Sequence, residues 1–118
     1  MTAFTLREYV EDHRSPYAEW FDALEAFTAA RVDKHVRRME QGNFGDSKSV
    51  GAGVMELRID FGPGLRVYYG RDGMALVILL AGGSKKSQSR DIAEAIRRWQ
   101  RHKQRKKEEQ EKSKKKGA

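Results

Sequence analysis

Residues 54–89 read V-M-E-L-R-I-D-F-G-P-G-L-R-V-Y-Y-G-R-D-G-M-A-L-V-I-L-L-A-G-G-S-K-K-S-Q-S. Two runs of alternating apolar and polar residues meet at Phe61-Gly62-Pro63-Gly64. Asp72-Gly73 offers a second turn, and an unbroken apolar run from Met74 to Ala81 follows. Alternation at a period of two, punctuated by turn residues, predicts a three-stranded antiparallel meander. If Leu57 and Ile59 point inward with Leu65, Val67 and Tyr69, paired residues must share a face. That parity sets Ile59 opposite Leu65, Leu57 opposite Val67, Arg58 opposite Arg66 and Glu56 opposite Tyr68. A two-residue loop at Asp72-Gly73 would pair Arg71 with Met74, placing Val77 beside Tyr68 and Leu79 beside Arg66.

Glu56, Arg58, Arg66 and Tyr68 therefore form one cluster on the outer face of the predicted sheet. Directly opposed arginines repel in a bare sheet, so an anion, either Glu56 or a ligand, is wanted beside them. Gly82-Gly83-Ser84-Lys85-Lys86 brings two more cations to the end of the third strand. Guanidinium groups bind phosphate bidentately and stabilise charge that develops in a transition state, so this constellation suits a phosphodiester. The competing reading is a solvated sheet face on which Arg58 simply pairs with Glu56.

Outward from this stretch, Phe4 to Val10 alternates and predicts a short first strand whose place in the sheet is not readable. Ser15-Pro16 is a helix start, with Tyr17, Trp20, Phe21, Leu24 and Phe27 following as an aromatic core stripe. Thr28 is set to cap a second helix carrying Val32, His35, Val36 and Met39 on one face, with Gly42 as its C-cap. Residues 42–53 are rich in glycine and serine and predict an irregular loop. Past the meander, Ser87 or Ser89 would cap a third helix with Ile92, Ala95, Ile96 and Trp99 inward. The fold class expected is α+β, an N-terminal helical hairpin packed on a small antiparallel sheet with a C-terminal helix.

With 118 residues the chain has room for one modest core. The division expected is a folded domain over 1–100 and a basic, largely unpacked tail over 101–118. Net charge is +7, but nine Lys and Arg against three Glu lie after residue 100, leaving 15 basic and 14 acidic residues before it. The folded part is thus not basic as a whole, and any nucleic-acid argument rests on local clustering. The absence of cysteine excludes disulfides, thiolate metal sites and cysteine nucleophiles. No apolar run reaches the roughly 20 residues of a membrane-spanning helix, and no signal pattern opens the chain, so a cytoplasmic protein without a membrane partner is expected. No phosphate loop, H-E-x-x-H or Gly-x-Ser-x-Gly is present. His13, His35 and His102 are too dispersed to argue for a metal, and no cofactor is expected.

The segments G-A-G-V-M-E-L-R-I-D-F-G-P-G-L-R-V-Y-Y-G-R-D-G and L-V-I-L-L-A-G-G-S-K-K-S-Q-S-R-D-I together resemble the phage-derived killer proteins of the RelE/ParE toxin superfamily, near the HigB branch, over about residues 4–100. The resemblance implies the toxin half of a toxin-antitoxin pair. Its cognate antitoxin would be a small protein that in this branch often carries a helix-turn-helix. It also implies a ribosome-dependent endoribonuclease that cuts mRNA, inhibiting translation, with the substrate's own 2′-hydroxyl as the attacking group. Carried over by position, Arg58 and Arg66 would hold the scissile phosphate, and Lys85 or Lys86 would contact phosphate or the leaving oxygen. Tyr68 would position or stack on a base, with Glu56 and Gln88 completing the substrate-binding set. RelE-type relatives place a tyrosine or histidine after the last strand; here the segment is Ser84-Lys85-Lys86-Ser87-Gln88. A slow nuclease, Lys85 as proton donor, and no RNA cleavage at all stay open. The alternatives are a ParE-like inhibitor that binds DNA gyrase and a nucleic-acid-binding module using the basic tail.

Overall fold

Alternating side chains and two glycine turns produce the expected central hairpins. The computed structural model describes residues 3–116. In chain order the elements are β1 (Thr5–Glu8), α1 (Pro16–Asp22), α2 (Ala26–Arg38), a 3-10 turn (Met39–Gln41), β2 (Ser47–Gly51), β3 (Val54–Ile59), β4 (Leu65–Asp72), β5 (Leu76–Ser84), a second 3-10 turn (Lys85–Ser87) and α3 (Gln88–Lys116). The sheet order is β1-β5-β4-β3-β2, with β1 parallel to β5 and the other pairs antiparallel. The architecture is α+β, as expected, but the sheet has five strands. β2 lies where an irregular loop was expected, because its short polar residues hide the alternation that pairs Lys48 with Glu56.

Between β3 and β4 the register is the one parity requires, with Ile59 opposite Leu65, Leu57 opposite Val67, Arg58 opposite Arg66 and Glu56 opposite Tyr68. The β4–β5 register differs from expectation. Asp72 pairs with Leu76, so Gly73, Met74 and Ala75 all lie in the turn, where Gly73 supplies a φ of +70° and Met74 is exposed. A further shift between Tyr68 and Tyr69 sets Tyr69 opposite Leu79 but Tyr68 opposite Ala81. Arg66 thus lies beside Gly83, not Leu79. The missing side chain has a use, since a Cβ on Gly83 would come within 1.9 Å of the Asp91 carboxylate on α3.

Each sheet face carries its own core. On one, Leu57, Ile59, Leu65, Val67 and Tyr69 pack with Tyr17, Val32, Val36 and Met39; on the other, Val54, Tyr68, Ile78 and Leu80 pack with Ala95 and Trp99. Full burial of such side chains contributes about 1.5–3 kcal/mol each. The Ser15 hydroxyl accepts from the Ala18 amide and caps α1. The helical pair is looser than a uniform hairpin. Because α1 ends at Asp22 and α2 begins at Ala26 after Glu25, not at a Thr28 cap, Phe27 falls out of the expected core stripe and is exposed.

α3 runs unbroken through Lys116, and its first turns past residue 100, expected to bury nothing, dock on the domain. His102 stacks on Trp99 and holds Asp72 through Nε2 at 2.8 Å, while Lys106 pairs with the other Asp72 oxygen. Arg105 lies over the Tyr9 ring and donates to the Val10 carbonyl at 2.7 Å.

Candidate functional site

The parity of β3 and β4 puts Glu56, Arg58, Arg66 and Tyr68 on the α3 side of the sheet, and the helix start closes over half of them. Glu56 is fully buried. Arg58 donates from Nε to its Oε1 at 3.0 Å, Gln88 donates from Nε2 to its Oε2 at 2.8 Å, and Arg66 Nε approaches Oε1 at 3.8 Å. Burial alone would raise the Glu56 pKa, but hydrogen bonds from Gln88 and Arg58 and the neighbouring Tyr68 hydroxyl outweigh it, so the net shift is downward. One ionised carboxylate therefore relieves the repulsion of two opposed arginines.

Tyr68 cannot do what the resemblance implied. Its ring is completely buried under α3, leaving no face on which a base could stack. Its hydroxyl has no hydrogen-bond partner of normal geometry among the described residues, and burial together with the Glu56 charge pushes its pKa up. Glu56 and Gln88 are likewise engaged with each other, so neither presents the free polar group expected for substrate binding. Glu56 and Tyr68 lie beneath the surface, and Gln88 holds Glu56 from the start of α3.

What stays open is a cleft of about 390 Å³ lined by Arg58, Arg66, Lys85, Asp46, Asp60 and the turn Gly62-Pro63-Gly64. The Arg58 side chain is 36% exposed and that of Arg66 12%, the latter steadied by an Nη1 bond to the Leu65 carbonyl at 3.1 Å. The Lys85 amide donates to the Gly64 carbonyl at 3.0 Å, tying the end of β5 to the β3–β4 turn and bringing the lysine to the cleft. Lys86 does not line this cleft but an adjoining one of about 570 Å³, which it shares with Lys85, Gln88 and Arg90, so Lys85 borders both. Two carboxylates were missed. Asp60 shares the strand parity of Arg58 and was legible on that ground, whereas Asp46 reaches the rim only through the unexpected β2, where its carbonyl accepts from the Arg58 amide at 2.8 Å.

The arrangement can grip one anionic group between two guanidinium planes and an ammonium, but it is not a cation-rich surface. Three positive side chains face Asp46 and Asp60 at the rim and Glu56 below. No histidine lines the cleft, and His102 is held by Asp72 at the other end of β4. Among the described residues no group of three His, Asp or Glu is placed to hold a metal, and no helix is long and apolar enough to cross a membrane.

The five-stranded sheet with helices on both faces is the fold of RelE. The structure superimposes on the free-state structure of a double arginine-to-alanine mutant of the E. coli toxin RelE with a TM-score of 0.60, at 16% identity, covering 83% of this chain and 98% of that one. The chain belongs to the phage-derived Gp49-like family, a RelE/HigB-type toxin family, whose sequence profile matches residues 19–104. It is also 45% identical over 80 residues to an uncharacterised protein of Haemophilus influenzae, covering 67% of this chain and 81% of that one.

Proposed function

We propose that the protein is the toxin of a toxin-antitoxin pair and acts as a ribosome-dependent mRNA endoribonuclease. The observation that carries this reading is the Arg58–Arg66–Lys85 cleft, oriented from beneath by buried Glu56. Arg58 and Arg66 hold the non-bridging oxygens of the scissile phosphate and stabilise the charge that builds on them. The substrate's 2′-oxygen attacks phosphorus, its proton passing to solvent, and the bond to the 5′-oxygen breaks. Lys85 supplies the proton that the departing oxygen takes up, leaving a 2′,3′-cyclic phosphate and a 5′-hydroxyl. Without a histidine or an accessible tyrosine, proton transfer is the weak step, so turnover should be slow and the ribosome must present the message in an attack-ready geometry. A small antitoxin neutralises the protein in the cytoplasm by covering the cleft with acidic or apolar contacts from a segment that orders on binding.

The test is to induce the chain in a bacterial host and map RNA 5′ ends in translated transcripts and in the same transcripts lacking a start codon. Cuts confined to translated frames, and absent for Arg66→Gln, which leaves Glu56 its Arg58 and Gln88 partners, are expected. Arrested growth with intact messages and rising DNA-damage markers would overturn the proposal in favour of a gyrase-binding inhibitor.

A further inference from the structure

We infer that a second cleft, at the far end of β4 from Arg66, is a docking groove for the phosphate backbone of structured RNA. It has a volume of about 380 Å³ and lies between the β4–β5 turn and α3, lined by Arg71, Lys103, Lys106, Lys107 and Gln110 around the edge of Trp99. Asp72 is the one acidic residue in its lining, and both its oxygens are engaged, by His102 and Lys106.

At about 100° per residue, Lys103, Lys106, Lys107, Gln110 and Lys114 fall within one arc of about 100° on α3. Glu108, Glu109 and Glu111 all fall outside that arc. The helix therefore presents a carboxylate-free cationic stripe continuing from the groove along its projecting end. Lys103 to Lys114 spans about 16 Å at 1.5 Å per residue. That length meets several successive phosphates of a nucleic-acid strand.

The absence of apolar anchors in the lining chooses the partner. Protein interfaces are centred on desolvated aromatic or aliphatic side chains, and membrane-surface helices bury an apolar face. Here Trp99 is 5% exposed and the other α3 side chains of the groove are lysines and a glutamine. Flexible ammonium groups without a hydrophobic centre suit a sequence-independent polyanion, and the fixed rod of α3 suits a duplex rather than a collapsed single strand. This groove goes beyond the cleavage reading and stands or falls separately from it.

The test measures fluorescence anisotropy of a labelled short RNA duplex with the full chain, with Lys103→Glu/Lys107→Glu and with the charge-matched control Arg7→Glu/Lys34→Glu, whose sites are exposed and line neither cleft, over a salt series. Among the described residues neither Lys103 nor Lys107 makes an ion pair, so reversing them should leave helicity and the melting temperature intact. Wild type is expected to bind with a log–log salt slope of about −3 to −4. The double reversal should weaken binding at least about tenfold and flatten the slope by about two, whereas the charge-matched control should change both much less. Equal affinity of the reversed and wild-type chains would overturn the inference. So would tighter binding of wild type to vesicles of anionic phosphatidylglycerol than to the duplex, which would assign the stripe to a lipid surface. Because no cleavage is read, an inactive nuclease that still binds the duplex separates the two proposals.

Discussion

The two ends of β4 make the same residue types do opposite work. At the Arg66 end, a carboxylate is buried and two arginines are drawn onto it, so half of their positive charge is balanced and their placement fixed. At the Asp72 end, six residues and roughly 20 Å away, the carboxylate is spent on latching α3, and the surrounding lysines keep their charge in excess. Charge count alone would rank the Asp72 end as the better anion site. Preorganisation ranks the Arg66 end first, because guanidinium groups held by a buried partner need not reorganise when a phosphate arrives. On the proposed reading, the first end recognises one group and the second attracts diffusely.

Removing the buried carboxylate is the strongest way to break this contrast. Glu56→Ala leaves Arg58 and Arg66 opposed without an anion, and a loss of about 3 kcal/mol in urea unfolding is expected, with toxicity abolished. Glu56→Gln adds a pH signature. The folded-state pKa of Glu56 is depressed, so its stabilisation is present above the ordinary glutamate value of about 4.3 and is lost as pH falls through the folded value. The advantage of wild type over Glu56→Gln should therefore be full at pH 7 and shrink toward the acid limb. Glu11 and Asp72, whose pKa values are also lowered, are common to both proteins and cancel in the difference. A constant difference across that range would show that Glu56 does not hold the arginines by its charge.

Next in size is Arg66→Lys, which keeps the charge but removes the planar fork. If bidentate grip carries the chemistry, cleavage of a translated message should drop about 100-fold with little change in melting temperature. Retained activity would reduce the Arg66 end to simple attraction and erase the distinction from the lysine groove.

Strand parity made the Arg66 end readable. Once Leu57 and Ile59 were placed inward, the partners of Glu56 and Arg58 followed, and the β3–β4 register is the one that counting required. What parity could not report was the cover. An outer face looks the same in sequence whether water or a helix lies on it, so Tyr68 and Gln88 read as substrate groups although α3 buries the first and Glu56 engages the second. The Asp72 end was harder to read. The turn there contains Gly73, Met74 and Ala75, and the shift at Tyr68/Tyr69 has no marker beyond a run of aromatics. The lysines after Trp99 showed no apolar periodicity, which left His102 and Arg105 looking solvated. They dock through Asp72 and the Tyr9 ring, polar and cation–π contacts that hydrophobic spacing does not register.

Backbone contact sharpens the comparison at the far end. Trp99 lies on Gly70, where an added Cβ would come within 2.5 Å of the indole. Because the obstacle is a packed ring rather than a flexible chain end, Gly70→Ala should cost about 2 kcal/mol. Tryptophan fluorescence should shift as α3 lifts, and the salt slope of duplex binding should fall, while Arg58 and Arg66 keep their partner.

The smallest effect isolates the latch. In Asp72→Asn the His102 contact can persist as a neutral hydrogen bond, whereas the charge attraction to Lys106, itself half exposed, is lost. Stability should fall by only about 1 kcal/mol, and by less in high salt, as for other partly exposed pairs. The same substitution removes the one negative charge lining the groove, so RNA-duplex affinity should rise even as the helix loosens. A fall in affinity would mean that the position of α3, held by Asp72, matters more to the groove than its net charge, and the two ends of β4 would then both work by preorganisation.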